Sequence, residues 1–247
     1  MGHEHSAIEQ LLSEVYWDKA KQYRHGGRGL ENVLTAEVFQ ALDFLPRAAF
    51  LAPALRRAKG APAAVEMLAS QAEDAKISIL SGDIFLEPLN TRGQSKVYAQ
   101  PDAVIESPGV FCWVEAKRFG RSSFQIEQLA KEFALTAQCA GKRASLLLLV
   151  LPEEPPISVR SHGRMTIEDA ISRGAEAIRQ RFDVGLRNLD AAAIADVVAF
   201  VTWDEIEVAL SRALDETVVD EPSISACLSR IAYGAMSAIR WHASNDE

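Results

Sequence analysis

Cysteine is scarce in this chain. The three that occur among 247 residues, Cys112, Cys139 and Cys227, have no paired spacing, which excludes a disulfide framework and a cysteine-rich zinc site. All three fall in apolar segments and read as reduced core residues. Long hydrophobic runs are missing too: the longest, 144–151, is broken by Ser145 and falls far short of the ~20 residues that span a bilayer. No apolar signal core opens the chain, so the expectation is a soluble, cytoplasmic protein without membrane contact. Basic charge is in deficit, with 26 Lys and Arg against 34 Asp and Glu, a net charge of −8. Coating nucleic acid non-specifically needs a basic surface, which this balance excludes; a local basic groove is still allowed. His25, His162 and His242 have no spacing that marks a zinc site or a catalytic triad, and His3 and His5 sit in a solvated tail. The glycine-rich stretch 24–29 lacks the Lys-Ser/Thr ending of a phosphate-binding P-loop, and reads as a hinge or a simple phosphate contact. No internal repeat is present.

What remains is an ordinary globular composition, 48% hydrophobic and 24% charged, expected to form a single domain over 1–247. Its core is expected over about 30–214, with helical extensions at 6–23 and 223–241. Ser6 and Glu9 form a capping-box pattern ahead of the first helix. Leu30–Leu45 predicts a second, with a stripe of Leu30, Val33, Leu34, Val38, Ala41, Leu42 and Leu45; Glu31 lies at the edge of that stripe and Glu37 nearer its centre. Alanine-rich short helices over 50–75 precede a bent strand over 76–89, where Asp83 and Glu87 read as solvent-facing. After residue 120, Ser122 or Ser123 caps a helix through Ala137. A buried strand over 145–151, a proline-rich loop, a helix over 165–182, a strand over 197–201 and a capped helix from Thr202 follow. Strand and helix alternate, which predicts a mixed sheet with helices on both faces, an α/β fold. The small residues of the last helix permit close packing, on the protein's own core or across a dimer contact.

The stretch 101–117 carries charge where a sheet would not ordinarily place it. Ala103–Ile105 and Val110–Ala116 are β-rich runs joined by Ser107-Pro108-Gly109, with Pro and Gly at the central positions of a tight turn. Alternation puts Trp113, Glu115 and Lys117 on one face and Cys112, Val114 and Ala116 on the other. Asp102 then lies across from the end of the second strand. Two carboxylates and an ammonium converge inside apolar strands, and buried charge of that kind needs a partner. A hard divalent cation suits it: Mg2+, with Mn2+ as substitute, takes oxygen ligands and keeps waters. Asp102, Glu115 and the Ala116 carbonyl supply oxygens, and Lys117 serves a water or an oxyanion. Lys117, Arg118, Arg121 and Lys131 form either a phosphate-tracking patch or a solvated cationic face.

Pro101-Asp102 followed by Glu115-Ala116-Lys117 resembles the PD-(D/E)xK nuclease superfamily in order and spacing. That resemblance implies a restriction-endonuclease-like fold and Mg2+-dependent hydrolysis of DNA phosphodiesters. It implies metal binding by Asp102 and Glu115, and water positioning by Lys117. It also implies an acid from the helix before the sheet, Glu31 with Glu37 in reserve, and a helical glutamine near substrate or Lys117, Gln128 or Gln125 one turn earlier, beside Arg118 and Arg121. The chain shows no separate DNA-reading motif, so target choice is expected to come from a homodimer or a larger assembly. Two rivals are weighed: a module of this fold that binds nucleic acid or protein without turnover, and an α/β protein whose charges are surface ion pairs.

Overall fold

The structure is a computed structural model and describes residues 28–82, 84–86, 97–120, 123–182 and 191–244. The expected extension 6–23, the loop up to residue 27, Asp83, Glu87, Arg121 and Ser122 lie outside these residues.

Among the described residues a mixed sheet of five strands is flanked by eight helices. Helices α1 (Arg28–Phe44), α2 (Arg47–Leu55) and α3 (Pro62–Ser70) lead into strand β1 (Lys76–Ile79). A short ribbon of β2 (Ile84–Leu86) and β3 (Val97–Ala99) follows, then β4 (Ala103–Glu106) and β5 (Val110–Ala116). Next come α4 (Ile126–Ala140), β6 (Ala144–Leu151), a ribbon of β7 (Ile157–Val159) and β8 (Gly163–Met165), α5 (Ile167–Phe182) and α6 (Ala191–Ala195). The chain continues through β9 (Val198–Thr202), α7 (Trp203–Glu216) and α8 (Pro222–Ser244). The sheet runs β1-β4-β5-β6-β9. β1, β4 and β5 pair antiparallel, and β5, β6 and β9 pair parallel.

The hairpin of β4 and β5 is as the turn residues predict, with Ser107 N–H donating to the Val110 carbonyl at 2.9 Å. Gly109 leaves room there for two side chains, since a Cβ would fall 2.8 Å from Met67 Sδ and 3.0 Å from the Gln71 amide and both would have to shift. Gln71 Oε1 in turn accepts from Gly109 N–H and Ser107 Oγ, at 2.9 and 2.7 Å. This ties the turn to the end of α3.

Strict alternation along β5 divides the apolar interior in two. Cys112, Val114 and Ala116 pack with α1, α2, α3, α7 and α8. Phe111 and Trp113 pack with α4, α5 and the β7–β8 ribbon. Burying both faces of the central strand makes all seven of its residues inaccessible, the pattern of a strand covered by helices on either side. On one of those sides α4 and α5 approach closely at Gly174, where a Cβ would lie 2.1 Å from the Ile126 carbonyl oxygen.

Several local expectations are corrected. Residues 28 and 29 belong to α1, not to a loop. α1 is buried more broadly than one stripe, since Thr35, Ala36 and Phe39 are buried as well, and α8, α2 and β1 all pack against it. Glu37, expected near the stripe's centre, is exposed. Ser123 does not cap α4; the N-cap is Gln125. Phe124 exchanges backbone hydrogen bonds with Ser158 and Arg160, and that extended bridge delays the helix. Met165 ends β8 instead of starting a helix, and Thr166 Oγ1 accepts from Asp169 N–H at 3.1 Å to cap α5. The capping box at Thr202 is present, its hydroxyl accepting from Glu205 N–H at 3.2 Å. The cysteines are free, but only Cys112 is fully buried, with its thiol's pKa pushed up by that burial. Cys227 is exposed because it lies on the outer face of α8.

Candidate functional site

The site is built on the C-terminal end of β5, where the chain leaves the sheet. The pairing of β4 with β5 ends at Ala103 and Val114, which leaves Asp102, the residue before Ala103, at the end of β5 that carries Glu115. Asp102 is held there by its own backbone, its N–H donating to the Val114 carbonyl at 3.1 Å and its carbonyl accepting from Leu80 N–H at 3.0 Å. Its carboxylate turns onto β5, where Oδ2 accepts from Ala116 N–H at 2.7 Å. β4 has ended at that level, and a side-chain oxygen stands where a ladder carbonyl would.

Lys117 is fixed from all sides. Its N–H donates to the Val150 carbonyl at 2.8 Å, and its own carbonyl accepts from the Trp203 indole N–H at 2.8 Å. Its ammonium donates to Glu115 Oε1 at 2.6 Å and to the Ala116 carbonyl at 3.1 Å, and lies 5.0 Å from the centre of the Phe124 ring. Asp102, Glu115 and Lys117 keep only 8, 2 and 7% of their surface exposed. Burial to that extent overturns the reading of these charges as surface ion pairs.

The face of α4 closes the site. Gln128 Nε2 donates to Glu115 Oε1 and to Glu132 Oε1, both at 2.7 Å. Gln128 therefore takes the inward position expected of one of the two glutamines. Gln125 precedes the helix and is exposed, so the argument that placed it on the same helical face does not hold. Arg118 is half-buried, and Lys131 pairs with Glu127 one turn away at 4.0 Å. Glu31 lies in the first turn of α1, while its side chain, like Arg121, falls outside the described residues.

Glu132 and Trp203 were missed in the sequence. Glu132 has no exposed surface, and its Oε2 is buried without a hydrogen-bond partner. Burial raises its pKa well above the usual carboxylate range; the charges of Glu115 and then Asp102 push the same way, against the opposing pull of Lys117 and the Gln128 hydrogen bond. An acid four residues after Gln128, among the apolar residues Leu129, Phe133 and Leu135, was a readable signal. Trp203 gave none beyond being an aromatic residue after a strand.

No protein family, curated protein or solved structure matches this chain. Among the described residues no group of three His, Cys, Asp or Glu side chains is placed to hold a metal ion. Two carboxylates and the Ala116 carbonyl nevertheless make an all-oxygen set, which fits a hard cation that fills its other positions with water. Beside the site lies an open cleft of about 380 Å³, lined by Lys117, Ser123, Phe124, Ser158 and Arg164 among others. Among the described residues no helix is long and apolar enough to cross a membrane.

Proposed function

We propose that this chain is a metal-dependent deoxyribonuclease of the PD-(D/E)xK kind, with a restriction-endonuclease-like arrangement of its sheet, acting in the cytoplasm. One observation carries the reading: the Lys117 ammonium, buried in the sheet's interior, touches both the Glu115 carboxylate and the Ala116 carbonyl on a strand whose neighbour presents Asp102. A sequence gains nothing in stability from such a cluster, since apolar residues of similar volume serve as well or better.

Asp102, Glu115 and the Ala116 carbonyl are the groups that would hold Mg2+ or Mn2+. The cation supplies Lewis acidity at a phosphoryl oxygen and a water of lowered pKa. Lys117 holds an attacking water in line by hydrogen bonding and offers positive charge to the oxyanion that develops. Gln128 orients Glu115, and the Phe124 face keeps bulk water from the ammonium. The cleft beside Lys117, lined also by Arg164, takes the DNA backbone, and a homodimer or larger assembly supplies target choice.

Incubation of the protein with circular and linear DNA, with Mg2+, Mn2+ or a chelator, tests this. Cation-dependent cleavage is expected, reduced at least ~10²-fold in Lys117→Ala and Asp102→Ala, the loss typical of a transition-state donor. Undiminished cleavage in both variants would sink it. The rival, a module of the same fold that binds nucleic acid or protein without turnover, is favoured by the lack of a third side-chain ligand among the described residues. It predicts no heat of Mn2+ binding that Asp102→Asn removes.

A further inference from the structure

From the geometry of α4 we infer that Glu132 is a positioning residue, which sets the orientation of Glu115 by holding the amide of Gln128. The inference rests on the nuclease reading for its consequence, though not for the contact itself.

The Gln128 amide has a donor end and an acceptor end, and either can be presented to a neighbour. Its nitrogen meets two carboxyl oxygens at once, Glu115 Oε1 and Glu132 Oε1, each at 2.7 Å. Each amide hydrogen thus has its own acceptor, and the reverse orientation would turn the amide carbonyl against the Glu115 carboxylate. Glu115 Oε1 receives the Lys117 ammonium as well. Two donors from different directions on one oxygen fix the plane of that carboxylate. The anchor of this arrangement is Glu132, which is fully buried and has an orphaned Oε2. Burying an unsatisfied polar atom is costly, so packing alone would favour an apolar residue here, as at Leu129 and Phe133 beside it. Groups that orient metal ligands typically change metal affinity or activity 10–100-fold when removed.

The experiment follows the full chain by Mn2+ calorimetry and DNA cleavage in Glu132→Leu, Glu132→Gln, Gln128→Leu and the Glu132→Leu/Gln128→Leu double variant. Glu132→Leu is expected to weaken Mn2+ binding and lower kcat by about 10-fold, with KM for DNA little changed. Glu132→Gln, whose amide oxygen accepts in place of the carboxyl, recovers most of that loss. Because Glu132 acts through Gln128, the double variant is no worse than Gln128→Leu alone. Losses that multiply, or no recovery in Glu132→Gln, would assign Glu132 to packing and overturn the inference.

A second arm needs no variant to fold: hydrogen exchange of the Gln128 side-chain amide, followed by NMR in the wild-type protein. Protection of both hydrogens is expected, and rapid exchange of either one overturns the inference. Absence of Mn2+ binding and cleavage in the wild-type protein would sink the nuclease reading instead, and this arm would still decide whether Glu132 holds Gln128.

Discussion

Replacing Lys117 with methionine removes the ammonium while keeping the length and most of the volume of the side chain. The pair it breaks is short, 2.6 Å, with side chains only 8 and 3% exposed. At an effective dielectric constant of about 20, charges at that separation attract by about 6 kcal/mol. Most of this offsets the dehydration of the two groups when they enter the interior, so the intact pair adds little net stability. Removing one member leaves the other buried beside Asp102 and Glu132 with that dehydration uncompensated, a loss of about 3–5 kcal/mol. For a chain of this size each kcal/mol moves Tm by about 2–4 °C, so Lys117→Met is expected to melt roughly 10 °C below wild type without added metal. In Lys117→Met/Glu115→Leu both charges are gone, and most of the lost stability returns although the site is destroyed. Urea unfolding of the three proteins in the presence of a chelator measures this. A double variant as unstable as the single one, or a single variant within 1 kcal/mol of wild type, would refute the electrostatic account of the site.

Glu132 gives a pH signature. Its pKa is raised in the folded protein, so the folded state holds a proton that the unfolded chain releases near the ordinary value, 4.5. The stability from this group is fully present below that value and is lost as pH rises toward the folded pKa, by up to about 1.4 kcal/mol per unit. Wild type should lose stability relative to Glu132→Gln across that window, in metal-free denaturant titrations at a series of pH values; a constant difference would contradict it. Mn2+ at 100 times its Kd should stabilise the protein by about 2.7 kcal/mol, seen as a Tm rise of about 5–10 °C that Asp102→Asn abolishes. Trp203→Phe leaves the Lys117 carbonyl without its indole donor. It should cost about 1–3 kcal/mol and lower kcat, while Mn2+ affinity measured by calorimetry changes less than twofold.

The elements that periodicity and punctuation specify were legible. The 103–116 hairpin follows from β-branched runs around Ser107-Pro108-Gly109, α7 from Thr202 and Glu205, and the buried strand β6 from unbroken leucine. Asp102, Glu115 and Lys117 could be brought together because a two-residue period and a tight turn determine register. Two parts of the site were not legible, for different reasons. Glu132 is linked to Glu115 through Gln128 only because α4 packs against β5, a tertiary relation that no local pattern encodes, even though its spacing from Gln128 was visible. Trp203 reaches Lys117 from 86 residues away. The start of α4 was misread because Phe124 is drawn into a bridge with the β7–β8 ribbon, a non-local contact that overrides the capping preference of Ser123.

The carboxylate of Asp102 also completes the seam between β4 and β5, accepting the Ala116 N–H where the neighbouring strand has run out. An alanine there would fray the sheet margin and strip the site together, so Asp102→Ala reports two losses at once and Asp102→Asn is the cleaner probe. The fold alone is therefore a reason to keep this acid, whatever chemistry the site performs. Losing Lys117 alone would strand the buried charge of Glu115, whereas exchanging both for apolar residues would not, so it is the ion pair as a unit that the architecture could do without.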